Sequence, residues 1–293
     1  MQKKKANLAA LGTYVIFGFS FLATRIALED TNVSTLLAVR FSISVICMSA
    51  LLLFGITKIS FRGKPVFKLL MLGLAQPIAY FVFETYGIQY TNSSFAGIIV
   101  SLIPVTSTLL AMFFLKEKVA PKKFFWIFCS IAGVCLLSYL QGSSGTIQIK
   151  GIVLMLMAVL SASVFALLSR SISDQFSAFE RSYIMMLMGC IAFIAYAVID
   201  NGSHFVPNYI DALTSTHVMI PVLYLSVISS VIAFLFLNYA MTHLEVSKAT
   251  SYCNIEPVIS LFAGVVFLSE PISIMHGLAC ALVVVGVYMA TKD

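Results

Sequence analysis

The stretch YGIQYTNSSFAGIIVSLIPVTSTLLAMFFLKE, residues 86–117, returns in altered form as YAMTHLEVSKATSYCNIEPVISLFAGVVFLSE, residues 239–270. The two align without a gap at a constant offset of 153. Tyr86, Ser94, Ala96, Pro104, Val105, Ser107, Phe114, Leu115 and Glu117 match Tyr239, Ser247, Ala249, Pro257, Val258, Ser260, Phe267, Leu268 and Glu270. That is nine identities in 32 positions, against roughly two to four expected by chance in so apolar a chain. Each copy carries a proline inside an apolar span and a glutamate 13 residues beyond it. A membrane protein built twice is usually a machine with a site between its halves.

Hydrophobic residues make up 60% of the 293 and charged residues 10%, where soluble domains carry about 25% charged residues. A soluble fold of this size could not hide that much apolar surface, so lipid is the solvent for much of the chain. The net charge of +6 does not indicate nucleic acid, because the charges sit in short loops between apolar runs. Six cysteines stand singly inside apolar runs with no CxxC pair. Neither a disulfide framework, a metal site nor a cofactor is indicated.

About 20 apolar residues cross the hydrocarbon core as a helix. Ten segments qualify, near 7–28, 34–55, 68–89, 93–115, 122–140, 150–169, 181–199, 217–241, 246–268 and 273–291. Met1–Lys5 before the first run resembles a signal peptide, but the run is too long for one and the repeat needs this helix. With the N-terminus in the cytoplasm, fifteen Lys and Arg residues face inward, among them Lys64, Arg170 and Arg181, and only Lys150 faces outward. The charge rule therefore puts both termini in the cytoplasm of a multi-pass protein of the cell membrane. Two sets of five helices follow, over 1–140 and 150–293, joined by a linker at 141–149. Five is odd, so the second set runs opposite to the first. The expected fold is all-α: ten transmembrane helices as two inverted five-helix repeats.

The block Asn254-Ile255-Glu256-Pro257-Val258 followed by Phe267-Leu268-Ser269-Glu270 resembles EamA-type members of the drug/metabolite transporter superfamily. So do Ile103-Pro104-Val105 with Phe114-Leu115-Lys116-Glu117, and Arg40-Phe41 in the second span. The resemblance implies a secondary carrier of a small organic metabolite, such as an amino acid or related compound, commonly running as an exporter. It implies a central cavity between the first, third and fourth helices of each half, and dimer contacts through the fifth and tenth. No P-loop, HExxH or GxSxG is present, and no filter-like carbonyl repeat. An integral-membrane enzyme and a channel are the competing classes.

A charge at mid-bilayer costs at least about 2.5–3.5 kcal/mol and so faces protein or water. Arg25, Arg40 and Glu84 share a depth in the outer third of their spans, which permits an ion pair among them. Glu84 reads either as the acid of a fixed pair or as a group that meets substrate or a proton. Gln76, Tyr80 and Glu84 recur every fourth residue on one face of the third span, with Pro77 able to bend it. Together with the resemblance, the stripe points to a cavity wall. Ser229, Ser230 and Ala233 stand opposite Gln76, Pro77 and Tyr80 in the repeat.

Glu256 precedes Pro257 near mid-span, where the first half has Ile103. It is open to two readings, a binder of an ammonium group or a proton, or a protonated acid bonded to a neighbouring helix. Pro257 and Pro104 release the carbonyls of Cys253 and Val100, and freed carbonyls at midplane must be met by protein or water. Tyr252 shares a face with Glu256, whereas Asn254, the mate of Ser101, lies roughly opposite. Tyr14 stands on a face of the first span with Phe17 and Phe21. The candidate substrate-binding set is Tyr14, Gln76, Tyr80, Glu84, Ser101, Tyr252, Asn254 and Glu256, with the helix kinks at Pro77, Pro104 and Pro257. Expected partners are a small-molecule substrate, the lipid bilayer, a coupled proton and a second copy of the chain.

Overall fold

In the computed structural model the described residues are 2–114, 125–126, 128–129, 132–133, 136, 148–269 and 273–291, and no strand occurs among them. The helices are α1 (Gln2–Asp30), α2 (Val33–Leu53), α3 (Val66–Gln89), α4 (Phe95–Phe114), α5 (Ile149–Ser171), α6 (Ala178–Asn201), α7 (Phe205–Thr214), α8 (Thr216–His243), α9 (Val246–Leu268) and α10 (Ile274–Thr291). Among the described residues, eight helical stretches are long and apolar enough to cross a bilayer, with α6 and α7 forming one continuous stretch. Most of the fifth predicted span and of the linker, with Glu117 and Glu270, lies outside the described residues.

Polar residues at the helix starts supply the partners that backbone N–H groups otherwise lack. Asn32 accepts from Thr35 N at 2.8 Å and Asn92 from Phe95 N at 2.8 Å. Ser177 and Glu180 cap each other's backbone at the start of α6. Glu180 does more, because Lys64 Nζ reaches its Oε1 at 2.8 Å and Ser60 N donates to the same oxygen at 2.9 Å. At the other end Ser34 donates to Asp200 at 2.6 Å, and Asn32 to Asn201 at 2.6 Å. The pair α2–α6 is thus fastened at both ends, outside a central group of helices.

One element was not expected. The short helix α7 lies where the sequence reads as a loop, because Asn208, Asp211 and Thr214 interrupt its hydropathy. Val206, Ile210 and Leu213 are exposed, while Ala212 is buried beside Ala27 and Leu36. A helix with one apolar and one polar face suits the surface of a membrane.

The central helices are irregular in matched pairs. Helix α3 passes through a π-helical stretch at Leu74–Ala79 and α8 through one at Tyr224–Ile232. Helix α4 breaks in a turn at Ser101–Leu102, and α9 tightens to a 3₁₀ stretch at Tyr252–Ile255. Shifted by the repeat offset, each irregularity falls on its mate. Within α3, Gln76 is extended (φ −149°, ψ 121°), so the expected unbroken helical stripe holds only from Tyr80 onward. Helices α4 and α9 meet closely through small residues, since a Cβ on Gly97 would stand 1.9 Å from Ser260 Oγ. Helix α1 lies along both α8 and α9.

Candidate functional site

Where the central helices meet they leave two adjoining cavities. The larger is lined by Tyr14 and Phe17 of α1, Gln76 and Tyr80 of α3, Ile103 of α4, Phe165 and neighbouring alanines of α5, Leu237 and Met241 of α8, and Thr250 and Glu256 of α9. The smaller shares Phe17, Gln76 and Tyr80 and adds Ser20, Phe21, Phe81, Glu84 and Ser229. Counted as bilayer-length stretches, with α6 and α7 as one, these are the first, third and fourth of residues 2–114 and of residues 149–268. Both spaces are narrow, the larger leaving room for little more than one water.

Five of the eight candidate substrate-binding residues line these cavities: Tyr14, Gln76, Tyr80, Glu84 and Glu256. All five are buried, Glu84 at 3% and Glu256 at 1% exposure. The other three do not reach them. Ser101 turns its hydroxyl back onto Ile98 O at 2.6 Å. Tyr252 is half-buried outside the lining. The Asn254 amide finds no hydrogen-bond partner and also lies outside the lining. Tyr252 and Asn254 lie in the 3₁₀ stretch of α9 that precedes Glu256, and Ser101 in the turn that breaks α4. Pro77, Pro104 and Pro257 sit at or beside the irregular segments.

The expected ion pair among Arg25, Arg40 and Glu84 is not formed. Arg40 Nε donates to Ser230 Oγ at 2.9 Å and Nη2 to Ser229 Oγ at 3.2 Å, and the guanidinium lies 4.2 Å from the centroid of the Phe81 ring. Arg25 reaches the carbonyl of Ile88 at 3.5 Å. Shared depth did not fix the azimuth, and hydroxyls from α8 took the place of the acid. Glu84 accepts instead from Tyr80 Oη at 3.4 Å. Its Oε2 has no partner, and neither does Oε2 of Glu256. An unmet polar atom in a buried site is costly. One such atom stands on the wall of each of the two adjoining cavities.

Sequence reasoning missed a second buried arginine. Arg181, counted above as a loop charge, is fully buried. It donates to Ser169 O at 2.8 Å, Ser169 Oγ at 2.6 Å, Asn238 O at 2.7 Å and Thr242 Oγ1. Its place one residue after the Ser177–Glu180 cap, at the head of an apolar helix, was the available signal. Phe165 and Thr250 of the cavity wall carried none. No cluster that could hold a metal ion occurs among the described residues.

The chain matches the model of the "EamA-like transporter family" over residues 4–139 and 149–292. It is 30% identical over 288 residues to "Uncharacterized transporter YcxC" of Bacillus subtilis, covering 98% of this chain and 92% of that protein. It is 23% identical to a "Probable terminal-alkyne amino-acid exporter" of Streptantibioticus cattleyicolor, covering 100% and 95%. A solved crystal structure at 19% identity superposes with a TM-score of 0.74 over 98% of this chain and 96% of that one, a likeness of fold. With a match of that extent, and apolar helices to span a bilayer many times, the chain is a multi-pass membrane protein of the EamA-like transporter family.

Proposed function

We propose that the chain is a secondary carrier that exports a small organic metabolite, an amino acid or a compound related to one, across the cell membrane. The observation that carries this reading is the pair of adjoining cavities between α1, α3, α4, α5, α8 and α9, each with one buried carboxyl oxygen left without a partner. The transport cycle is alternating access between two inverted five-helix halves, 1–140 and 150–293, with both termini in the cytoplasm. Supporting the two halves are the irregularities that recur at the repeat offset in α3 and α8 and in α4 and α9. Broken helices at matched positions are the usual setting of a carrier's site. The cavity is too narrow for a metabolite as it stands, so cargo enters when the halves part on one side. Energy comes from the cargo's own gradient or from a proton taken up at Glu84 or Glu256. The exporter among the relatives agrees with outward transport of an amino-acid-like cargo.

The test is access. Ala162→Cys, in the cavity wall of a chain whose native cysteines are replaced, is exposed to an impermeant maleimide in right-side-out and in inverted vesicles. Alternating access gives labelling from each side. Labelling confined to one side, or to neither, contradicts it.

A further inference from the structure

We infer that the cargo is an organic cation, recognised through an ammonium group, and that a free carboxylate on the cargo is disfavoured. The inference deepens the reading just given and rests on it. Among the residues lining the two cavities, the carboxyl groups are those of Glu84 and Glu256, and no Lys, Arg or His is among them. The nearest arginine is spoken for, since Arg40 gives Nε and Nη2 to the serines and lays its plane on Phe81. A cargo carboxylate would enter beside two acids with no cation among the lining residues, the nearest guanidinium, Arg40, already facing Glu84 and held by Ser229 and Ser230, and burying an unpaired charge is strongly unfavourable. An ammonium group meets the opposite conditions. It brings N–H donors to the oxygens that lack them. It also meets ring faces, because Tyr14, Phe17, Tyr80 and Phe165 stand around the Glu256 end of the space, and aromatic rings attract cations through their quadrupoles.

A second observation carries the same sign. At one end of the bundle, facing outward by the charge rule, a recess of about 900 Å³ is lined by Glu29, Asp30, Asn32, Gln89, Asn208 and Asp211, and again no Lys or Arg is among its lining residues. His217 lies 2.8 Å from Asp30 at its edge. A recess lined by acids concentrates cations and repels anions.

Three probes that share one ring and differ in charge decide the matter: tyramine, tyrosine and 4-hydroxyphenylacetate. Each is tested on the purified full chain by thermal stabilisation in detergent and by exchange in proteoliposomes. The expected result is that tyramine acts at a concentration at least tenfold below tyrosine, and that the acid does nothing. Glu256→Gln should cut the tyramine response at least tenfold while remaining monodisperse. Should that variant not fold, Glu84→Gln is read in its place. A tyrosine or acid response equal to that of tyramine, or no tyramine response, overturns the inference. Ala162→Trp, which fills the cavity, separates the two levels of the argument, with Ala166→Phe as its substitute if it does not fold. If filling the cavity abolishes every response but the preference is not for the cation, the site stands and the charge inference falls. If exchange survives the filling, the cavity is not the site and both fall.

Discussion

The thiol of Cys253 donates to the carbonyl oxygen of Val100 at 3.4 Å, and the two residues are mates in the repeated stretch. Pro104 frees the Val100 carbonyl from its own helix. The other half of the molecule supplies the donor, so the duplication is stitched at the point where each copy is broken. Removing the donor leaves a buried carbonyl unmet, which costs about 1–3 kcal/mol. Cys253→Ala should lower the melting temperature in detergent by several degrees, and Cys253→Ser should recover most of the loss. Equal stability of all three proteins would show that the bond carries no weight.

Gly97 and Ser260 set how closely α4 approaches α9. A Cβ at 97 would overlap the Ser260 side chain, with Oγ at 1.9 Å and Cβ at 2.6 Å. Overpacking of this kind costs about 1–3 kcal/mol. Gly97→Ala should be destabilised by that amount in chemical denaturation, and Ser260→Gly in the same chain should restore more than half. Additive losses in the double variant would contradict the direct contact.

Arg40 is held by hydroxyls rather than by an acid, and the two arrangements differ in a double-mutant cycle. Charge-assisted hydrogen bonds are worth about 1.5–3 kcal/mol. The cycle Arg40→Met with Ser230→Ala should give a coupling energy of that order. The cycle Arg40→Met with Glu84→Gln should give less. A reversal would restore the ion pair that the residues' shared depth had led us to expect.

Arg181 is met by two carbonyl oxygens and two hydroxyls at the bases of α5 and α8. A truncation strands those acceptors inside the protein, and breaking a buried charged network costs about 3–5 kcal/mol. Arg181→Ala should therefore fail to yield monodisperse protein by fluorescence-detected gel filtration, whereas Arg170→Ala, at a partly buried residue, should yield it. Normal yield from Arg181→Ala would remove this network from the account of stability.

The long apolar helices were legible in the sequence because hydropathy and length decide them. The paired irregularities were legible in part. Pro104 and Pro257 marked the breaks in α4 and α9, but the π-helical stretch of α8 at Tyr224–Ile232 went unread although Pro221 stands three residues before it. Three of the eight candidate residues miss the cavity: Ser101 lies in the turn that breaks α4, Asn254 already stood opposite Glu256 on the helical wheel, and Tyr252 opens a 3₁₀ stretch that departs from that wheel. Arginine partners were the least legible. Ser229 and Ser230 lie about 190 positions from Arg40, and periodicity along one helix says nothing of what another brings to it.

The central claim, that this cavity is the site of a carrier, is tested most directly by counterflow. Proteoliposomes loaded with unlabelled compound are diluted into the same compound labelled, over a panel of amino acids and their decarboxylated amines, with the wild-type chain and with Glu256→Gln. The account predicts that at least one labelled compound accumulates transiently above its outside concentration in wild type, and that the overshoot is lost in the variant. Flux without trans-stimulation, or an overshoot that Glu256→Gln leaves unchanged, would contradict it.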